Sequence, residues 1–194
     1  KTLCKQAPEF REVVRRIELD GFECNGDLFH ALVQSIISQQ LSIKAADTIY
    51  NRVEQLLGTI TAENLKSAAV EELRACGLSA RKIEYLRGIT DAVLSGRIDF
   101  DALARLPDEE IMKELVKLKG VGEWTAEMLL IFALGRPDVL SFKDLGIRRG
   151  IMLLNKLEEL TEEDFEVYRK RYSPYGTLAS LYLWRIKDGG LSVK

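Results

Sequence analysis

The stretch Leu118-Lys119-Gly120-Val121-Gly122-Glu123-Trp124-Thr125-Ala126 decides how the rest of this chain is read. Two glycines two residues apart, set between two helical segments, give a turn too tight for Cβ atoms. Such a hairpin leaves the first N–H groups of the second helix without intrahelical partners. Those groups and the positive end of the helix dipole form a phosphate-binding site that needs no basic side chain. The same spacing also makes an ordinary helix–helix turn, so the stretch takes its meaning from its surroundings.

Those surroundings read as helix almost throughout. Pro107 opens a helix with Asp108, Glu109 and Glu110 in its first turn, where acidic groups suit the helix dipole, and it runs to about Lys119. After the hairpin, Glu123 to Leu134 is strongly apolar and is closed by Gly135 and Pro137. Leu145 to Leu157, Thr161 to Arg171 and Tyr175 to Lys187 follow, the second with the capping-box-like start Thr161-Glu162-Glu163-Asp164. Earlier in the chain, Pro8 to Leu19 places Phe10, Val13, Val14 and Ile17 on one face. A periodic stretch from Leu28 to about Leu57 is interrupted at Ser38-Gln39-Gln40-Leu41-Ser42, where polar residues break the apolar stripe. Ala69 to Cys76 and Ser79 to Leu94 complete the series. No strand pattern, repeat or flexible linker is found, so an all-α fold is expected, with any second lobe made by the chain folding back.

Composition narrows the chemistry. A chain of 194 residues, 46% hydrophobic and 30% charged, builds one globular domain or two small lobes sharing a groove. The longest apolar run, Met128 to Leu134, is far short of the roughly 20 residues a membrane span needs. With no signal-peptide pattern at its start, the chain is expected to be soluble and intracellular: cytoplasmic in a prokaryote, nuclear in a eukaryote. Cys4, Cys24 and Cys76 share no metal-binding spacing, and His30 is the lone histidine. Catalysis must then rest on carboxylates, amines or hydroxyls. The net charge of −2 weighs against a nucleic-acid partner unless a local patch and backbone amides do the binding.

Beyond the apolar helix, Gly135-Arg136-Pro137-Asp138-Val139-Leu140-Ser141-Phe142-Lys143-Asp144-Leu145-Gly146-Ile147-Arg148-Arg149 leads through a short loop to a single carboxylate at the start of a new helix. Hairpin, loop and carboxylate in this order resemble the helix-hairpin-helix DNA glycosylase superfamily, closest to its 3-methyladenine DNA glycosylase II branch, over about Leu28 to Trp184. The resemblance implies that Asp144 is the catalytic residue. The chemistry agrees, because breaking an N-glycosidic bond builds positive charge on the sugar, which a nearby carboxylate stabilises, and the same group can orient a water. Asp144 also reads as a helix N-cap contributing stability alone.

Further expectations come from the same resemblance. Lyase-competent members carry a lysine two residues after the second hairpin glycine; here that position is Trp124, so a monofunctional, water-using enzyme is implied, and neither Lys119 nor Lys143 matches the lysine's position. With no cysteine after Cys76, no iron–sulfur cluster is expected. A cationic alkylated purine is attracted by aromatic faces, which assigns Trp124 and Trp184 to a base pocket, with Tyr175, Phe142 and Met128 as further lining, although core packing also explains these residues. In Ser35 to Ser42, the wedge that fills the hole left by a flipped base falls on Gln40 with Leu41 beside it, and Ser42 and Lys44 contact the backbone; a polar helix junction is the other reading. Lys119, Gly120, Val121, Gly122 and Thr125 of the hairpin, and Lys143, Arg148 and Arg149 around Asp144, are assigned to DNA contact, with a solvated helix face as the alternative for the last three.

The family implies a monovalent sodium or potassium ion at hairpin carbonyls near Lys119 and Val121, and no organic cofactor. His30 is read as structural. The implied architecture is two-lobed, residues 36–143 forming a central lobe and residues 1–35 with 144–194 the other, with DNA crossing the cleft and Asp144 at its base. The partner is double-stranded DNA containing alkylated bases, bound by a monomer. A glycosylase for another lesion, such as hypoxanthine or a neutral oxidised base, and a non-catalytic DNA-binding module are the competing readings.

Overall fold

The computed structural model describes residues 2–21, 24 and 26–190. In chain order its helices are α1 (Leu3–Gln6), α2 (Phe10–Arg16), α3 (Leu28–Ser38), α4 (Ile43–Leu57), α5 (Ala62–Ser67), α6 (Val70–Ala75), α7 (Ala80–Leu94), α8 (Phe100–Leu103), α9 (Asp108–Leu115), α10 (Glu123–Phe132), α11 (Leu145–Asn155), α12 (Glu162–Tyr172) and α13 (Gly176–Lys187). No strand occurs among the described residues, and the fold is all-α as expected. None of these helices is long and apolar enough to cross a membrane.

The expected break at Ser38 to Ser42 separates α3 from α4. The helices absent from the sequence reading, α1, α5 and α8, are six residues or fewer, too short for apolar periodicity to register. Two of them carried a different signal: Thr61 accepts the N–H of Asn64 at 3.1 Å and Asp99 that of Ala102 at 2.9 Å, so each begins on a side-chain cap. The helix opened by Pro107 ends at Leu115, a turn before the expected Lys119. Tight turns from Leu118 N–H to Leu115 O and from Val121 N–H to Leu118 O, each 3.0 Å, carry the chain on to the hairpin.

The chain divides into two compact units, Lys1–Glu23 with Gly135–Lys194, and Cys24–Leu134. The joins therefore fall at 23/24 and 134/135, and not at 35/36 and 143/144 as the sequence reading set them. The physical reason lies in two elements. Helix α3 is continuous; it buries Leu28, Leu32, Val33, Ile36 and Ile37 and packs against α4, α7, α8 and α10, so it belongs whole to the central unit. The loop after Gly135 is hydrogen-bonded to the start of α13, which ties it to the chain ends.

In the unit made by the chain ends, Phe10, Val13, Ile147, Ile151, Phe165, Tyr172 and Leu183 form the core. Phe10 meets Tyr172 edge to face with ring centroids 5.1 Å apart, which draws α2 onto α12. Helices α11 and α13 approach closely at Gly150, where a Cβ would lie 2.5 Å from the backbone oxygen of Leu183. Replacing a mid-helix glycine by alanine ordinarily gains about 0.5–1 kcal/mol. Gly150→Ala is expected to reverse that sign and cost about 1–3 kcal/mol, because backbone has to move to admit the methyl group. Urea denaturation monitored by circular dichroism checks it.

Candidate active site

Asp144 is the N-cap of α11, its Oδ1 accepting the N–H of Ile147 at 2.8 Å. The structural reading of this residue is thus present in the geometry. Yet Asp144 is only 8% exposed, and the same Oδ1 also accepts the indole N–H of Trp184, from α13, at 3.0 Å. A cap that serves stability alone normally sits in water; a carboxylate taken out of water needs donors to offset its lost hydration.

The loop that delivers Asp144 is held from its far side. Asp138 Oδ1 accepts the N–H of Gly176 at 2.9 Å and its Oδ2 the hydroxyl of Ser173 at 2.6 Å. The Thr177 hydroxyl donates to Arg136 O and accepts the N–H of Val139 at 3.1 Å, and the Ser180 hydroxyl donates to Val139 O at 2.9 Å. Thr177 N–H closes the set on Pro137 O at 3.0 Å. Four residues, Asp138, Ser173, Thr177 and Ser180, thus clamp a segment that has no regular structure of its own. The sequence reading missed all of them, since each acts across some 35–41 positions.

The hairpin lies in the central unit. Gly120 has φ +92°, and a Cβ there would lie 2.3 Å from Cδ2 of the Tyr85 ring, so both conformation and space demand glycine. Gly122 differs from the expectation of a turn too tight for Cβ atoms. It is the N-cap of α10 with φ −96°, and a Cβ there would meet nothing within 4 Å. Its bareness is not required by the fold. The carbonyl of Leu118 accepts Val121 N–H at 3.0 Å, and that of Gly120 accepts Gln39 Nε2 at 2.9 Å. Those of Lys119 and Val121 accept no hydrogen bond among the described residues, and they fit the donor set a monovalent cation would need. Lys119 itself is exposed and paired with Glu84, which raises the lysine and lowers the carboxyl from their ordinary pKa values.

The Gln39–Gly120 hydrogen bond ties the hairpin to the loop between α3 and α4, a link between residues 81 apart. Lys82 clamps the same loop, donating to Ile37 O at 2.7 Å and Gln39 O at 2.8 Å; burial pushes its pKa down. Beyond this anchor, Gln40 is exposed with φ +59°, a left-handed conformation that costs energy in a residue other than glycine and that occurs preferentially at functional positions. Leu41 is exposed beside it, Ser42 caps α4 by accepting Ala45 N–H at 3.4 Å, and Ile43 is 83% exposed. Lys44 is exposed as well. Gln39, Lys82, Tyr85 and Ile43 were not singled out in the sequence; the exposed Ile43 was the most open to detection, an apolar residue next to a polar break.

Trp124, in the first turn of α10, is 43% exposed, with Met128 part-buried one turn on and Thr125 buried. Phe142 packs edge to face on Phe165 at 5.2 Å, with the Arg148 guanidinium 5.0 Å over its ring. Tyr175 is part-buried against the same core, while Lys143 and Arg149 are exposed. His30, for which the sequence suggested no partner, shares a 2.5 Å hydrogen bond with the Tyr50 hydroxyl.

A helix-hairpin-helix element and a capped, nearly buried aspartate after a clamped loop define a class of helical proteins. The sequence pattern of HhH-GPD superfamily base excision DNA repair proteins matches residues 33–174, and the chain belongs to that family. It is 39% identical over 162 residues to DNA-3-methyladenine glycosylase 1 of Schizosaccharomyces pombe, covering 81% of this chain and 71% of that protein. Among solved structures it is similar to a DNA-3-methyladenine glycosidase from Bacillus halodurans, with 40% identity, 96% of this chain and 88% of that one covered, and a TM-score of 0.86. It is also similar to the S. pombe 3-methyladenine DNA glycosylase Mag1 in complex with abasic DNA, with 32% identity, 97% of each chain covered and a TM-score of 0.79.

The two hairpin glycines are expected to respond differently to alanine. Gly120→Ala combines a left-handed φ with the collision on Tyr85 and should cost about 2–4 kcal/mol. Gly122→Ala should cost at most about 1 kcal/mol, the difference between glycine and alanine at an N-cap. Thermal and urea unfolding of the two variants measures the contrast.

Proposed function

We propose that this protein is a monofunctional DNA glycosylase that hydrolyses the N-glycosidic bond of alkylated purines of the 3-methyladenine and 7-methylguanine type. The observation that carries the reading is the Asp144 carboxylate, taken almost wholly out of water and held by two N–H groups on one oxygen. Family membership and the relatives' names support the lesion class.

In the proposed sequence of events, N–H groups at the start of α10 grip a backbone phosphate. The open space over Gly122 leaves room for that approach. Lys119 and Val121 carbonyls would hold a monovalent cation that adds positive charge beside the phosphate. Gln40 enters the minor groove as the damaged nucleotide turns out of the stack, with Leu41 and Ile43 as apolar neighbours. Trp124 offers an aromatic face, to which a cationic base is drawn more strongly than a neutral one. Positive charge that gathers on the sugar as the base leaves is stabilised by Asp144, which also orients the attacking water. Because the position two residues after Gly122 holds Trp124, the hairpin offers no amine to attack the sugar. Neither an organic cofactor nor a second protomer enters these steps.

The test is base release under single-turnover conditions from duplexes carrying one 3-methyladenine or 7-methylguanine. Wild-type protein is expected to release the base, and Asp144→Asn to be slower by about 10²- to 10³-fold or more. Borohydride should trap no protein–DNA adduct with the wild type. Absence of release by wild type, or equal release by the variant, defeats the reading; a trapped adduct defeats its monofunctional part.

A further inference from the structure

The sequence assigned Trp184 to base stacking, a role for the face of its ring. The structure engages its edge: the indole N–H donates to Asp144 Oδ1 at 3.0 Å, the oxygen that also accepts Ile147 N–H at 2.8 Å. Gly146 lies directly beneath this contact. A Cβ on Gly146 would lie 2.8 Å from Trp184 Cδ1, 3.2 Å from its Nε1 and 3.0 Å from Asp144 Oδ1. Gly146 sits inside α11 without a left-handed φ, so backbone conformation does not call for glycine there. The indole does.

We propose that Trp184 and Gly146 are positioning residues for Asp144: the indole N–H fixes the plane of the carboxyl group, and the missing side chain at residue 146 lets the ring reach it. The inference rests on the role of Asp144 proposed above. An aspartate χ2 is a broad torsion, and a cap bond by itself does not fix it. A second donor, arriving on the same oxygen from a different helix, removes that freedom, so the other oxygen has a fixed direction. Electrostatic stabilisation of a sugar cation depends on charge that is already in place when the bond breaks, because reorienting it then would consume part of the gain. The contact therefore acts on the rate of bond cleavage and not on the grip on DNA.

Trp184→Phe keeps an aromatic body able to stack on a base and deletes the N–H. It is expected to slow single-turnover base release by about 10- to 100-fold, the usual effect of removing a hydrogen bond to a charged group. Affinity for a duplex with an abasic site, which presents no base to stack, should stay at the wild-type value, and the melting temperature should fall by only a few degrees, the cost of one donor at a carboxylate that keeps its Ile147 bond. Gly146→Ala, which retains the tryptophan but displaces it, should give a similar loss, and the double variant should be no slower than the worse single one, since both remove the same bond. The contact is also visible without activity. The chain has two tryptophans, and Asp144→Asn should move the indole N–H resonance of Trp184 and leave that of Trp124 in place. Wild-type rates in Trp184→Phe alongside an inactive Asp144→Asn overturn this inference alone. A loss in Trp184→Phe that is matched by an equal loss of abasic-duplex affinity also overturns it, since that marks a structural role. Full activity in Asp144→Asn overturns the functional reading and this inference together.

Discussion

A buried carboxylate is tolerated only where N–H groups replace the water it has lost, and at Asp144 that requirement organises one whole unit of the molecule. The N–H of Ile147 in its own helix is one donor, and the Trp184 indole on α13 is another. To bring the indole in, α11 and α13 must lie almost backbone to backbone, which the glycines at 146 and 150 permit. To keep the carboxylate at the head of α11, the irregular segment before it must be fixed, which Asp138, Thr177 and Ser180 accomplish at the opening of α13. The core of Phe10, Ile147, Ile151, Phe165 and Leu183 lies beneath this arrangement and supplies its rigidity.

The central unit meets a different constraint. A chain of net charge −2 has little long-range attraction for a polyanion, and several of its cations are already engaged. Lys119 is paired with Glu84, Lys66 with Asp91, and Lys82 is turned onto backbone carbonyls. In the function proposed above, contact with DNA in this unit rests largely on backbone groups and uncharged side chains, and these have to be held still. Tyr85 beneath Gly120, Gln39 on the Gly120 carbonyl and Lys82 on the end of α3 do this, so that the hairpin and the loop between α3 and α4 form one piece.

What the sequence revealed and what it hid divide along range of interaction. The hairpin, the cap at Asp144 and the break after Ser38 are written in neighbouring residues: a glycine spacing, an acidic residue ahead of an apolar helix, an interrupted periodicity. The partners that make these features a site lie far away in the chain. Trp184 meets Asp144 across 40 positions and Gln39 meets Gly120 across 81, and no local pattern encodes either. Gly122 is instructive in the other direction. Its spacing from Gly120 suggested a shared steric need, but only Gly120 has one, and Gly122 faces open space. The unit boundaries differ for a similar reason: the expected edge at 35/36 falls within α3, whose apolar face runs through to Ile37 and holds the helix in one body.

The claim that Asp144 stabilises a sugar cation is tested most directly by binding and not by rate. Duplexes carrying a positively charged pyrrolidine in place of the sugar mimic that cation, and a neutral tetrahydrofuran site has the same shape without the charge. Wild-type protein should bind the charged duplex tighter by about 10²-fold or more, and Asp144→Asn should abolish most of the difference. Equal affinity of the wild type for the two duplexes, or a preference that survives in Asp144→Asn, would contradict the account.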